Sequence, residues 1–467
     1  VDRRLGAVRQ EPSRRSFLQG ALKVAVVTVA SLIMARRRSA GAATRLTPPR
    51  WLAEASDIAD HVQGPRIPDR HRVLTVPEGC ARLQIQEAIH QLSAAGGGTL
   101  VLDRGRWRLN GPLRLPSRIR VHLSAGCEVC FSGEPNDYLP LVLTRWEGTD
   151  LWGFSPCIYA LNATDVAISG DGTLSMDITG PIQNWRREQG EAQRSLRRMG
   201  ADGAPLAERV FSKGSFLRPS FIQFLGCSRV LVEGVAITDL VFWAVHVLYS
   251  EHAIVRGISV KTYLVNNDGV DIDSSRYVLV ERCQFTTGDD CIAVKSGRDR
   301  DGREVGKPSE YIVIRDCSMF RSNAAGVALG SEMSGGIRRV YVIRSRIDKA
   351  DVALNVKSNL DRGGVIEHLR VWNVAVGACD ELFQVTTQYH GYRGDNFPPR
   401  IQDIELDDIT CETARAGISI VGAPAAVIRD VRVRDLDIRQ VEEPIAVKFA
   451  EEITLSSVFM NGRPLSA

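Results

Sequence analysis

No apolar run in this 467-residue sequence reaches the roughly 20 residues that span a bilayer. The longest, Ala21 to Ala35, is broken by Lys23 and follows Ser13-Arg14-Arg15-Ser16-Phe17-Leu18. A twin-arginine pattern, an apolar stretch and the small residues Ser39 to Ala43 read together as a cleaved export signal over 1–43 rather than a membrane anchor. Aromatic residues make up only 6% of the chain, and its ten cysteines are scattered. So few cysteines in so long a chain exclude a dense disulfide framework, and Cys127 with Cys130 is a lone CxxC without the second pair that a zinc site would need. Helical periodicity is almost missing after Thr99. An excess of positive charge is missing too: removing residues 1–43 takes nine Lys/Arg and two Asp/Glu, and the balance of 59 against 55 becomes 50 against 53. A slightly acidic mature chain gives no electrostatic footprint for nucleic acid.

What is present is a repeat. Residues 44–70 are aperiodic and read as a linker or arm, after which one domain is expected over 71–467. Leu83, Ile85, Ala88, Ile89 and Leu92 have helical spacing and end at Gly96-Gly97-Gly98, a short helix suited to cap the open end of a solenoid. Then apolar triplets recur: Val230-Leu231-Val232, Ala253-Ile254-Val255, Val278-Leu279-Val280, Ile312-Val313-Ile314, Val340-Tyr341-Val342, and onward to Ile453-Thr454-Leu455, at steps of 22 to 35 residues. A floor of 22 with occasional insertions matches one turn of a parallel β-helix, three short strands stacked on the turn below at about 4.8 Å. The expected fold class is therefore all-β, a parallel β-helix with an N-terminal capping helix. A second strand in each turn puts Ile222/Phe224, Val245/Val247, Val270/Ile272 and Ile292/Val294 inside. The alternate residues then form outward columns, one reading Gln223, His246, Asp271, Ala293, Ala328, Asn355, Gln384 and its neighbour Leu248, Asp273, Lys295, Gly330, Lys357, Thr386. Such a strip suits an extended polymer.

Asn266-Asn267-Asp268-Gly269 and Gly288-Asp289-Asp290-Cys291 occupy matching places in consecutive turns, with Asp268 and Asp290 one 22-residue step apart. Single Asp and Asn residues there would be ordinary turn formers. Three stacked carboxyls are different, because mutual repulsion keeps at least one protonated while others stay charged, the division of labour that glycoside hydrolysis requires. Lys295 is expected either to pair with Asp273, one turn below, or to serve the ligand. Lys357 is two turns farther up with no acid beside it in the column, and it is expected to bind a ligand carboxylate. His246 beside Asp271 is ambiguous from spacing alone.

These residues resemble glycoside hydrolase family 28, the polygalacturonase family. Asn266-Asn267-Asp268, Gly288-Asp289-Asp290-Cys291 and Lys357 are similar to its Asn-Thr-Asp, Gly-Asp-Asp and Arg-x-Lys motifs. Thr144 to Gly148, Arg218 to Phe221, Phe242-Trp243, Lys295 to Arg298 and Gly330 to Gly336 resemble segments of bacterial members. The resemblance implies a right-handed parallel β-helix, also the solenoid of pectate lyases, and inverting hydrolysis of α-linked galacturonan without metal or cofactor. It also implies Asp289 as general acid, Asp268 and Asp290 as the pair that positions and activates water, and Tyr389 at the sugar-binding edge. Lys357 would hold a galacturonate carboxylate, with Asn355 where the family has Arg; His246, Asp271 and Lys295 complete the expected substrate-binding set. Asn323-Ala324-Ala325 stands where the family has Gly-His-Gly. The partner implied is a pectic polysaccharide met outside the cytoplasm by a monomer.

Two other readings fit the strip. A polysaccharide lyase would hold Ca²⁺ in the acidic cluster and release an unsaturated product. A non-catalytic carbohydrate-binding β-helix would turn nothing over, and the missing family His and Arg favour it.

Overall fold

The computed structural model describes residues 48–77, 79–390, 394 and 397–465, so the export signal expected at 1–43 lies outside the described residues. The chain winds into a right-handed parallel β-helix with one 29-stranded sheet. One wall stacks Thr164–Gly170, Ser228–Glu233, Glu251–Arg256, Arg276–Glu281, Ser309–Arg315 and Ile337–Ile343, with Val166, Val230, Ala253, Val278, Ile312 and Val340 in register. A second wall stacks Ile222–Leu225, Val245–Leu248, Val270–Asp273, Ile292–Lys295 and Ala325–Gly330. A third consists of shorter strands such as Ser259–Lys261 and Gln284–Thr287. Towards the C-terminus the strands run through the corners, as in Val365–Thr386 and Arg400–Val421.

The triplets show why the sequence folds this way. Their outer members, such as Val278 and Val280, face the interior and are fully buried, each worth about 1.5–3 kcal/mol. Their middle members, Leu231, Ile254, Leu279 and Val313, point outward yet are also buried, because another element covers them. That element is a helix, Leu52–His61, inside the stretch whose sequence reads as an aperiodic arm. Ala55, Ile58, Ala59 and Val62 supply its apolar face, a spacing of three, one and three hidden by the polar residues between them. The capping helix spans Arg82–Ala94 and buries Ile85, Ala88, Ile89 and Leu92 against the first turns. Leu83 does not join them and is 70% exposed.

Both outward columns are reproduced: Gln223, His246, Asp271 and Ala293 lie in register, as do Leu248, Asp273 and Lys295. Much of this strip is covered, however. The antiparallel hairpin Val142–Gly153, the helix Gly190–Asp202 and the helix Asp299–Val305 are insertions that fold over it. No helix among the described residues is long and apolar enough to cross a membrane. All ten cysteines are free thiols.

Candidate active site

The turns before Val270–Asp273 and Ile292–Lys295 set the three aspartates. Asn266 adopts a left-handed φ of 61°, a conformation asparagine tolerates better than most residues. The buried Asn267 amide donates to the carbonyls of Leu240 and Phe242 at 3.2 Å and accepts from the Leu264 N–H at 2.8 Å. This asparagine is a structural clamp, and it projects Asp268 to a fixed place. The Gly269 N–H donates to the Asp290 carbonyl at 3.0 Å, which stacks the two carboxyl-bearing turns directly. Oxygens of Asp268, Asp289 and Asp290 consequently lie within 4.8 Å of one another.

Their environments differ. Asp290 Oδ1 accepts from the Ala325 N–H at 2.8 Å and Oδ2 from Lys357 Nζ at 2.9 Å, a charge-assisted pair that suits a carboxylate. Asp289, the most open of the three, accepts from the N–H groups of Asn266 at 3.1 Å and Asp290 at 2.9 Å. Burial, followed by the Asp290 charge, pushes its carboxyl above the usual range. Burial, followed by Asp271 and Asp289, raises Asp268 well above that range. Lys295 Nζ sits 3.7 Å from Asp268, 3.5 Å from Asp271 and 3.6 Å from Glu332, over the Trp243 ring at 4.7 Å. Burial alone would lower this lysine; Glu332, Asp271 and Asp268 instead hold it well above the ordinary lysine range.

Several expectations require correction. Lys295 does not pair with Asp273, which is bound by Arg145 Nη1 at 2.8 Å and by the Gly297 N–H at 3.1 Å. Lys357 does have an acid partner, Asp290, two turns away. His246 and Asp271, expected to bind substrate, have no exposed surface. The His246 ring lies edge-on to Trp243, with Nδ1 2.9 Å from the Gln223 amide, and burial lowers its pKa. Lys295, Lys357 and Asn355 retain a few per cent exposure, and Tyr389 is half-buried beneath Lys357, whose Nζ stands 5.2 Å from its ring centre. Asn355 leaves its buried Oδ1 without a hydrogen-bond partner.

Other residues of the site escaped assignment from sequence. Glu332 is held by Arg298 as well as Lys295, and these two cations keep it well below the usual range despite burial. Arg218 donates to the carbonyls of Val241 at 2.6 Å and Val265 at 2.9 Å, and to Asn266 Oδ1 at 2.6 Å, tying the inserted segment to the Asp268 turn. Glu147, on the hairpin, accepts from Gln193 at 2.9 Å and pairs with Arg197, both on the helix Gly190–Asp202. A charged residue inside an otherwise uncharged turn, as in Ser331-Glu332-Met333-Ser334, was the available signal for Glu332.

A divalent cation does not fit this cluster well. The ammonium groups of Lys295 and Lys357 already stand against Asp268 and Asp290, where a cation would have to sit. The arrangement can instead present one protonated and one ionised carboxyl to the same bond.

The profile of Glycosyl hydrolases family 28 matches residues 207–454. An exopolygalacturonase from Thermotoga maritima superposes with a TM-score of 0.84 and 33% identity, over 88% of this chain and 96% of that one. A probable polygalacturonase from Vitis vinifera is 26% identical over 355 residues, 73% of this chain and 67% of the relative. An endo-polygalacturonase from Pectobacterium parmentieri is 22% identical over 377 residues, 78% of this chain and 84% of the relative.

Proposed function

The chain belongs to glycosyl hydrolases family 28 and is a glycosidase of pectic polygalacturonan, and from that premise we propose a role for each carboxyl in its cleft. Asp289 donates its proton to the glycosidic oxygen as the C1–O bond breaks. A water molecule attacks C1 from the other face and gives its proton to Asp290, with Asp268 orienting it. The observation that carries this reading is the contrast within 4.8 Å: burial favours a protonated Asp289, while Lys357 and the Ala325 N–H bind Asp290 as a carboxylate. Solvent restores the proton on Asp289 after product leaves. Lys295, Lys357, Tyr389 and Asn355 then form the uronate-facing floor.

Among the described residues, no side chain donates a hydrogen bond to the Asp289 carboxyl in place of the family histidine. Ala324 carries no donor, and among the described residues the Asp289 carboxyl is bound by backbone N–H groups. Replacing Asp289 by Asn preserves shape and, through its single amide oxygen, one of those two bonds, while removing the transferable proton. Turnover of polygalacturonan by Asp289→Asn should fall to background with an unchanged circular dichroism spectrum; a folded variant of near wild-type activity would refute the assignment.

Inversion at C1 is part of the same proposal. The short carboxyl separations lie on the retaining side of the spacing rule for two-carboxylate glycosidases, which makes the anomer of the first product decisive. Attack on the chain end is favoured by the folded insertions that crowd the strip and by the exopolygalacturonase relative. For residues 1–43 the twin-arginine motif supports export in the folded state. Arg14→Lys with Arg15→Lys should leave the protein in the cytoplasm, and unimpaired export of that double variant would exclude the route.

A further inference from the structure

Towards the capped end of the coil the outward columns lead to a groove that the mechanism above does not use. Tyr159 and Leu161 lie in register with Gln223 and Leu225, so the strand Ile158–Leu161 continues the same two columns. Three steps of the stack separate it from Val270–Asp273, about 14 Å at about 4.8 Å a turn. The hairpin Val142–Gly153 roofs the stretch between them. The Leu143 carbonyl accepts from the Tyr159 hydroxyl at 2.7 Å, the Thr144 hydroxyl donates to Gln223 Oε1 at 2.9 Å, and Arg145 holds Asp273 at 2.8 Å. Past that roof the surface opens into a groove of about 470 Å³, bordered by His90 and Ser93 of the capping helix and by Arg114, Tyr159 and Leu161, with no residue of the hairpin in its lining. The volume falls within the range of small-ligand sites, about 300–1,000 Å³.

The chemistry of the groove favours an anion. Its lining contains no Asp or Glu. Gln86 fixes the strand that carries Arg114: its Oε1 accepts from the Arg114 N–H at 2.8 Å, and its Nε2 donates to the Arg114 carbonyl at 3.0 Å. The same Nε2 stands 3.1 Å from His90 Nε2. An amide nitrogen only donates, so the ring accepts there and carries its proton on Nδ1, available to a ligand. The Arg114 guanidinium lies 5.9 Å from the centre of the Tyr159 ring, and among the described residues no carboxylate pairs with it. A cation set against an aromatic ring without a counter-ion, beside the exposed His90 and the 43% exposed Leu161, suits a sugar ring that bears a carboxylate. We propose that this groove is a second binding site for uronate residues of the polygalacturonan chain, set apart from the catalytic cleft by the hairpin, and that it tethers the polymer during hydrolysis. A tethered chain is presented to the cleft at a raised local concentration, while no residue of the groove touches the reacting bond.

This inference rests on the hydrolase reading, and its test is separable from that reading. Arg114→Gln combined with His90→Ala removes both groups of the groove that can carry positive charge, and neither lies in the cleft. The double variant should raise KM for polygalacturonan about threefold to tenfold at unchanged kcat. Its kinetics on trigalacturonate, which is too short to occupy both sites at once, should stay at wild-type values. Titration calorimetry on the Asp289→Asn protein should count two sites for trigalacturonate, and one when Arg114→Gln and His90→Ala are added; the neutral galactotriose should not compete for the second. An unchanged KM on the polymer, equal increases on polymer and trisaccharide, a single site in Asp289→Asn, or a second site that survives the loss of Arg114 and His90 or takes galactotriose equally well overturns the proposal. Failure of the hydrolase reading would show instead as a wild-type protein without turnover, or as an active Asp289→Asn.

Discussion

Replacing Lys357 by Met distinguishes a substrate clamp from a residue that also supports the base. Sequence alone pointed to a clamp, because no acid stands beside it in its column. In the fold its ammonium is 8% exposed and donates to Asp290 Oδ2 at 2.9 Å, with the Asp290 side chain 2% exposed. Methionine retains the apolar length and the contact with the Tyr389 ring but removes the charge. Asp290 then keeps only the Ala325 N–H at 2.8 Å among its described donors and becomes an uncompensated buried carboxylate. Breaking a buried pair in this way costs about 3–5 kcal/mol. At the lower limit, with about 2.1 cal/mol/K of unfolding entropy per residue, the melting temperature of a domain this large should fall by about 3 °C. If the same 3 kcal/mol is lost from the transition state, kcat/KM falls about 150-fold. Because Asp290 receives the proton from water, kcat should fall as well as KM rise. Steady-state kinetics on polygalacturonan with differential scanning calorimetry would measure both. An increase in KM alone, at unchanged kcat and unchanged melting temperature, would refute the coupling and restore the clamp as the whole role of Lys357.

Proton NMR during the first minutes of digestion should show the β-anomer of the new reducing end and mono- or disaccharide product; the α-anomer would exclude inversion, and a ladder of long oligomers would exclude chain-end attack. Asn355→Arg supplies the family's guanidinium beside Lys357 and should lower KM for galacturonan severalfold, since a planar cation can bind a uronate bidentately where an amide cannot. An unchanged KM would mean that no uronate is held at this position.

Legibility followed the range of the interaction. Strand register could be read because side chains alternate with period two and each turn must bury the same face, so Gln223, His246 and Asp271 fall in one column whatever the loops do. The stacking of Asp268 on Asp290 follows from the same repeat. The apolar middle residues of the triplets carried a further message, that something covers the outer wall, but Leu52–His61 was hidden by its short and interrupted apolar spacing.

By itself, then, the sequence determined the solenoid, its period, its capping helix and the triad of aspartates, because each rests on local alternation repeated turn after turn. Only the tertiary structure decided which charges meet. Lys357 reaches Asp290 across 67 positions, Arg145 reaches Asp273 across 128, and Lys295 turns to Glu332 rather than to Asp273. These pairings depend on the diameter of the coil and on where the inserted hairpin and helices come to rest. Buried charges must find partners wherever the fold brings them within reach, and no column of residues read along the chain contains that distance.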